Sequence, residues 1–138
     1  MMWALDTDTL TLWLRGQKAV VKRVEENDPD ELAITIITVE EVLNGWYRIL
    51  RQAREDSEIV RAYGSLQQAV EFMKEVRILP FNQKALDRFH DLRARHRLVG
   101  TNDLRIAAIV LESGARLASR NLRDFRPITG LEVQDWSV

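Results

Sequence analysis

Hydrophobic residues along the chain alternate between short continuous runs and longer segments in which they recur every three or four positions. Short runs of this kind are typical of buried strands, and the periodic segments are typical of amphipathic helices. Strands are predicted at 2–5, 32–37, 76–79, 116–119 and 131–133. Helices are predicted at 7–15, 18–26, 38–50, 57–75, 82–97 and 102–112.

The regular alternation of strands with helices predicts an α/β fold with three layers, in which a central parallel sheet is flanked by helices. The run 32–37 is almost continuously apolar, as expected of a strand that is covered on both faces. Thr38 is predicted to cap the next helix, and Glu41 would complete a capping box three residues later. Neither repeats nor a linker interrupts the pattern, so residues 1–138 are expected to form a single domain.

Composition narrows the chemistry that such a domain can perform. The 20 Lys and Arg residues nearly balance the 21 Asp and Glu residues, so no overall positive field points to nucleic acid. The chain has no cysteine and only two histidines, which excludes thiolate chemistry and disfavours a zinc site built from several histidines. It shows neither a signal peptide nor a membrane-spanning run, so a cytoplasmic protein without membrane association is expected. Any chemistry is therefore expected to depend on carboxylates.

Four acidic residues either follow a predicted strand or begin the helix that leaves one. Asp6, Glu41 and Asp124 follow strands, and Asp103 stands at the start of the apolar helix 102–112. The carboxyl ends of parallel strands meet at one edge of a sheet, so these carboxylates are expected to converge and repel one another unless a cation joins them. Their oxygen atoms favour Mg²⁺ or Mn²⁺. Helix capping is the alternative role, especially for Glu41 and Asp124.

Several segments, in the expected order along the chain, resemble the signatures of PIN domains, and among these the VapC-type toxins of toxin–antitoxin pairs. They are Leu5-Asp6-Thr7, 37–45 (ITVEEVLNG), 100–108 (GTNDLRIAA), 117–125 (LASRNLRDF), 130–133 (GLEV) and Trp136. The resemblance implies a Mg²⁺- or Mn²⁺-dependent endoribonuclease that hydrolyses RNA with metal-activated water at Asp6, Glu41 and Asp103. It also implies a homodimer that is inhibited by a small antitoxin protein.

Two positions depart from the pattern of that family. The family usually has Asn two residues after the first Asp, whereas this chain has Asp8, which either joins the metal site or faces solvent. The family's fourth acid usually stands two residues after the Ser or Thr at a strand end, and Asn121 occupies that place after Ser119. The fourth member of the site is therefore Asn121 or Asp124, one helical turn further along. Ser119 and Thr7 can orient the carboxylates by hydrogen bonding or serve as ordinary caps.

Two other functions use the same residues. Asp6 and Asp8 form an Asp-x-Asp pair like that of haloacid-dehalogenase phosphatases, in which the first Asp is a nucleophile and the second a general acid. That family also has Thr or Val where this chain has Leu10, together with a Lys and a late acidic pair that have no convincing equivalents here. A degenerate PIN module that binds a partner or RNA without cleaving it is the other alternative, suggested by Asp8 and Asn121.

Two surfaces away from the acids are candidates for binding. Trp46, Tyr47 and Leu50, with the segment 59–73, predict an apolar surface for an antitoxin helix or a second protomer. The run 88–97 is rich in basic residues, which either contact RNA phosphates or form a solvated face at the end of a helix.

Overall fold

The computed structural model describes all residues, Met1–Val138, and is built around a five-stranded parallel sheet. The strands are β1 (Trp3–Leu5), β2 (Leu32–Thr35), β3 (Arg77–Leu79), β4 (Arg116–Ala118) and β5 (Val133–Gln134). Their order across the sheet is β3-β2-β1-β4-β5. The first strand of the chain is thus the central one, and it pairs with β2 on one side and β4 on the other.

Helices cover both faces of this sheet. They are α1 (Thr7–Leu14), α2 (Lys18–Glu25), α3 (Ile36–Gln52), α4 (Asp56–Lys74), α5 (Gln83–Arg95), α6 (Thr101–Ser113) and α7 (Leu122–Phe125). One hydrophobic core joins α5 and α6 to the sheet, and a second core on the other face joins α1, α2 and α4 to it. The predicted three-layer α/β arrangement with a central parallel sheet is therefore confirmed. No helix is both long enough and apolar enough to cross a membrane.

Small residues on one face of the sheet set the position of α6. Along β1, Trp3 and Leu5 belong to one core, while Ala4 belongs to the other, because side chains alternate between the faces of a strand. Ala4 lies beside Ala33 of β2, and both are fully buried in the same core as the alanines of α6. Alanine side chains let α6 pack closely on the sheet, and Asp103 in its first turn lines the cleft at the carboxyl ends of the strands.

The boundary between β2 and α3 differs from the prediction. The strand ends at Thr35 instead of residue 37, and Thr35 is the N-cap of α3, with its hydroxyl oxygen accepting a hydrogen bond from the Thr38 N–H at 3.2 Å. The predicted cap at Thr38 and its capping box with Glu41 are therefore wrong. Ile36 and Ile37 continue the apolar run into the helix, and a short apolar run cannot distinguish a strand from a buried helical turn. Glu41 consequently lies in the second turn of α3.

The remaining predicted elements are found close to their expected places, with two differences near the C-terminus. The short helix α7 was not predicted, since four residues are too few to show a helical period. The last strand contains Val133–Gln134 instead of residues 131–133, because Leu131 packs into the core beside Ile128 and Phe125 before the strand begins.

Candidate functional site

A cleft of about 250 Å³ opens where the central strands end. It is lined by residues from α1, α3, α6 and the segment after β4: Asp6, Thr7, Asp8, Glu41, Asp103, Ile106 and Asn121. The parallel sheet brings these distant parts of the sequence together, because the segments that leave β1, β2 and β4 all start at one edge. The structure thus brings together Asp6, Glu41 and Asp103, as the sequence predicts.

Asp6 is both a helix cap and a wall of the cleft. Its carboxylate accepts a hydrogen bond from the Thr9 N–H at 2.9 Å, and its own N–H donates to the Ala118 carbonyl at 3.1 Å. Burial raises the pKa of Asp6, while hydrogen bonds from Ser119 and Thr9 act in the opposite direction. The side chain is only 8% exposed, so its charge is held at the edge of the core. Capping and ligand binding, the two roles considered from the sequence, are therefore compatible.

Glu41 is held in the cleft by a threonine of another helix. The Thr7 hydroxyl donates to Glu41 Oε1 at 2.5 Å, and the Thr38 hydroxyl oxygen lies 3.2 Å from that of Thr7. Thr38 is fully buried, so its hydroxyl holds the Thr7 hydroxyl from the core side. Thr7 thereby orients a carboxylate, which was one of the two roles considered for it, and the contribution of Thr38 was not predicted.

Asp103 lies in the first turn of α6 and is linked to the segment after β4 by a side-chain amide. Asn121 Nδ2 donates to Asp103 Oδ2 at 3.2 Å and to Asp124 Oδ2 at 3.1 Å. Burial raises the pKa of Asp103, and the nearby charges of Asp6 and Glu41 raise it further. Asn121 itself lines the cleft, whereas Asp124 is connected to it only through this amide. Of the two candidates for the fourth position, Asn121 is the one in the cleft wall.

Asp6, Glu41 and Asp103 have no cationic partner. None of the ion pairs in the molecule includes any of these three carboxylates. In this conformation no three His, Asp or Glu side chains are close enough together to hold a metal ion. Hydrogen bonds from Thr7 and Asn121 hold Glu41 and Asp103 in their separate positions, so joint coordination requires side-chain rotation. Carboxylate and amide oxygens are nevertheless the donors that Mg²⁺ and Mn²⁺ prefer.

Asp8, in contrast, has a cationic partner. Arg120 donates from Nε to Asp8 Oδ2 at 2.6 Å and from Nη2 to Oδ1 at 3.1 Å, although the two residues are 112 positions apart. About half of each side chain is exposed, which places the pair on the rim of the cleft. Arg120 was not singled out from the sequence, although its position directly after Ser119 at the end of β4 was the available signal.

Residues 4–130 match the family described as the PIN domain. The chain belongs to the PIN domain family. The matched region includes every residue that lines the acidic cleft. The family resemblance noted in the sequence is thus confirmed, and the parallel sheet with flanking helices is the fold of a PIN domain.

Named relatives match this PIN domain over nearly its whole length. Ribonuclease VapC1 of Haemophilus influenzae (strain R2866) is 28% identical over 141 residues, which cover 99% of each chain. The solved structure of VapBC-1 from nontypeable Haemophilus influenzae covers 100% of both chains, with 25% identity and a TM-score of 0.77. A toxin–antitoxin complex from Klebsiella pneumoniae covers 96% of both chains, with 23% identity and a TM-score of 0.74, and shares the fold.

The basic run on α5 has a structural role in this PIN domain. Arg93 donates to the backbone carbonyls of His96, Arg97 and Val99, and to the Thr101 hydroxyl, so it organises the loop that leads into α6. Arg88 pairs with Glu112 of α6 at 2.8 Å. Two of the basic residues in the run are therefore used inside the domain, which favours the structural interpretation over RNA contact for them.

The predicted apolar surface lies on α3 and α4. A groove of about 340 Å³ between the two helices is lined in part by Trp46, Ile49 and Ala62. Other large apolar side chains of α4 are exposed outside the groove, including Tyr63 at 60% and Val60 at 72%. Within the groove, Ile49 is 45% exposed, so α3 and α4 each present apolar side chains that a protein partner could cover.

Proposed function

We propose that this PIN domain is a Mg²⁺- or Mn²⁺-dependent endoribonuclease that hydrolyses phosphodiester bonds of cytoplasmic RNA. The observation that carries this proposal is the meeting of Asp6, Glu41 and Asp103 in one cleft without a cationic partner. Carboxylates that lie in one cleft and repel one another favour the binding of a cation among them. The full-length relative named Ribonuclease VapC1 supports RNA as the substrate.

Each acid would have a defined part in this site. Asp6 and Asp103 would bind the metal directly, Glu41 through a water molecule, and Asn121 or Asp124 would complete the set. A bound Mg²⁺ or Mn²⁺ supplies an activated water and stabilises the leaving oxygen in phosphodiester hydrolysis, with no covalent enzyme intermediate.

Hydrogen bonds fix each acid of the cleft before any metal binds. The Thr9 N–H fixes Asp6, the Thr7 hydroxyl fixes Glu41, and the Asn121 amide fixes Asp103. Hydrogen bonds to ligating carboxylates orient them and tune a metal site. Because the bonds to Thr7 and Asn121 hold Glu41 and Asp103 in separate positions, these two side chains would rotate when a metal binds.

The phosphatase and the binding-only alternatives are less well supported. Asp8 is paired through both carboxylate oxygens with Arg120, so it is not free to act as the general acid of a dehalogenase-like phosphatase. The binding-only alternative was suggested by Asp8 and Asn121, yet neither residue displaces the three acids from the cleft. Both departures from the family pattern therefore leave the proposed site intact.

A cleavage assay tests the proposal. Purified protein with Mn²⁺ should cleave a fluorogenic RNA, and Asp103→Asn should reduce kcat/KM by about 100-fold or more, because it removes a charge that holds the metal. The matched control is Asp87→Asn on the exposed face of α5, which should change kcat/KM by less than twofold. Absence of cleavage by the wild type, undiminished cleavage by Asp103→Asn, or turnover of small phosphomonoesters in place of RNA would overturn the proposal.

We further propose that the chain is the toxin component of a type II toxin–antitoxin system, and that it works as a homodimer inhibited by a small antitoxin protein. The exposed apolar residues of α3 and α4 support a protein partner, as do the solved toxin–antitoxin assemblies that share this fold. Sedimentation of the purified chain tests the dimer. Cleavage that persists at saturating concentrations of a bound antitoxin would contradict inhibition.

A further inference from the structure

Arg120 is held in a fixed orientation at the mouth of the acidic cleft. Its guanidinium forms a two-point ion pair with Asp8, at 2.6 Å and 3.1 Å. Asp8 stands in the first turn of α1, while Arg120 directly follows Ser119 at the end of β4. The pair thus bridges two of the segments that build the cleft: Asp8 is two residues from Asp6, and Arg120 precedes Asn121, whose amide donates to Asp103.

The ion pair leaves part of the guanidinium free for another acceptor. A guanidinium carries five N–H donors, and Asp8 engages one on Nε and one on Nη2. Both hydrogens of Nη1 and the second hydrogen of Nη2 remain, and half of the Arg120 side chain is exposed. These donors form a planar fork that matches the oxygen atoms of a phosphate. Arg120 can therefore keep its bond to Asp8 while it binds a phosphate.

The cleft offers no other cationic side chain to a polyanion. Its lining consists of acidic, neutral polar and apolar residues only. Arg120 is bonded directly to one of these, Asp8, through two hydrogen bonds. An RNA strand that enters an acidic cleft needs positive charge beside it, because its phosphates are repelled by the carboxylates. Arg120 is placed where this charge is needed.

We propose that Arg120 binds a phosphate of the RNA substrate at the mouth of the acidic cleft, and that Asp8 is the residue that positions it. This inference rests on the proposed ribonuclease function, and it assigns a role to a residue that lies outside the acidic set. Arg123 provides a comparison, because it is 90% exposed and has only one contact, of 3.4 Å, with Asp124.

Binding of RNA by an inactive protein tests this role separately from cleavage. In an Asp103→Asn background, the affinity for a short fluorescent single-stranded RNA would be measured by anisotropy at several NaCl concentrations. Arg120→Ala should raise Kd about tenfold, because a charged hydrogen bond to phosphate is lost. It should also make the plot of log binding constant against log NaCl concentration less steep, by about 0.7 in slope. Arg120→Lys should restore the slope but only part of the affinity, since Lys keeps the charge without the fork.

Two control variants separate a positioned contact from a general effect of charge. Arg123→Ala removes the same charge three residues away and should change Kd by less than twofold. Asp8→Ala removes a negative charge, which by electrostatics alone would strengthen RNA binding. If Asp8 positions Arg120, the same variant should instead weaken RNA binding about threefold, a loss of part of the charged contact. Thermal unfolding of each variant would confirm that it is folded.

Several outcomes would overturn the inference. Unchanged RNA affinity in both Arg120→Ala and Arg120→Lys would remove Arg120 from substrate binding, and an equal loss in Arg123→Ala would show that only the net charge matters. Tighter binding by Asp8→Ala would refute the positioning role. If the wild type cleaves RNA while these binding results fail, only this inference falls. If the wild type cleaves no RNA, the proposed function falls and this inference falls with it.

Discussion

Asp6 and Asp8 have the same side chain and stand two residues apart, but only Asp8 has a cationic partner. Asp6 is buried, has no cationic partner and has a raised pKa. Asp8 is half exposed and is bound through both oxygens by Arg120. The difference arises from position, because Asp6 is the N-cap of α1 directly after β1, while Asp8 lies two residues further, in the first turn of α1, where it meets Arg120.

This contrast shows how the fold assigns different tasks to acids in one short motif. An acid that the fold leaves without a cation is available to bind one, and the cost of its burial is offset only when the cation is present. An acid with its own arginine needs no further cation. Asp6, Glu41 and Asp103, which we call the floor of the cleft, therefore form one part of the site. The Asp8–Arg120 pair, which we call its rim, forms another.

The largest expected effect is a difference in cleavage between two matched substitutions. Asp6→Asn should lower kcat/KM with Mn²⁺ by about 100-fold or more, while the helix remains capped, because Asn is as good an N-cap as Asp. Asp8→Asn should lower it by less than about tenfold, as expected of a residue that acts through another. Steady-state RNA cleavage measures both. Equal losses would show that the floor and the rim are one site.

A smaller effect is expected from the hydroxyl that holds Glu41. Thr7→Val should lower kcat/KM about tenfold, because a carboxylate of the site loses the hydrogen bond that orients it. Thr11→Val is the matched control in the same helix, since the Thr11 hydroxyl donates only to the Thr7 backbone carbonyl. Its effect should stay below twofold. A similar loss in both variants would indicate a general disturbance of α1.

The smallest expected effect is on the free energy of unfolding, and its sign differs between a substitution of Asp103 in the floor and one of Asp8 in the rim. A raised acid pKa in the folded state stabilises the protein below the ordinary value of 3.8, and this stabilisation is lost as the pH rises through the raised pKa. Without metal at pH 7, Asp103→Asn should therefore be more stable than the wild type, because the substitution removes a charge that burial and the neighbouring acids Asp6 and Glu41 disfavour. Asp8→Asn should be slightly less stable, because it weakens an ion pair.

Urea unfolding in EDTA at pH 7 and pH 4 measures these differences. The gain in Asp103→Asn should shrink at the lower pH, where the wild-type carboxyl approaches its neutral form. A destabilised Asp103→Asn protein at pH 7 would mean that the carboxylate is compensated in the fold. The distinction between the floor and the rim would then disappear.

Much of this site could be predicted because apolar runs in the sequence show where the strands end. Asp6 and Glu41 follow apolar runs, and Asp103 begins an apolar helix, so the parallel order of strands places all three at one edge. The family and the layered fold are predictable for the same reason. The capping of α3 was predicted wrongly because Thr35 and Thr38 are equally suitable caps and the apolar residues between them suit either element.

Contacts made by long side chains across the sheet were beyond prediction. The pairing of Asp8 with Arg120 depends on the register of β1 and β4, in which Leu5 lies opposite Ala118. A shift of one residue would turn Arg120 to the other face, and the apolar residues of β1 do not alternate with polar ones to fix the register, because that strand is buried on both faces. Asn121 illustrates the same difficulty, because its bonds to Asp103 and Asp124 follow from the loop geometry after β4.

The central position of β1 has a consequence for when the cleft comes into existence. Trp3 pairs with Arg116, so the strand made first during synthesis receives one of its two neighbours only after most of the chain has left the ribosome. Asp103 and Asn121 arrive equally late. A growing chain therefore carries Asp6 and Glu41 without their counterparts, and the acids can meet only after residues 103–121 have been made.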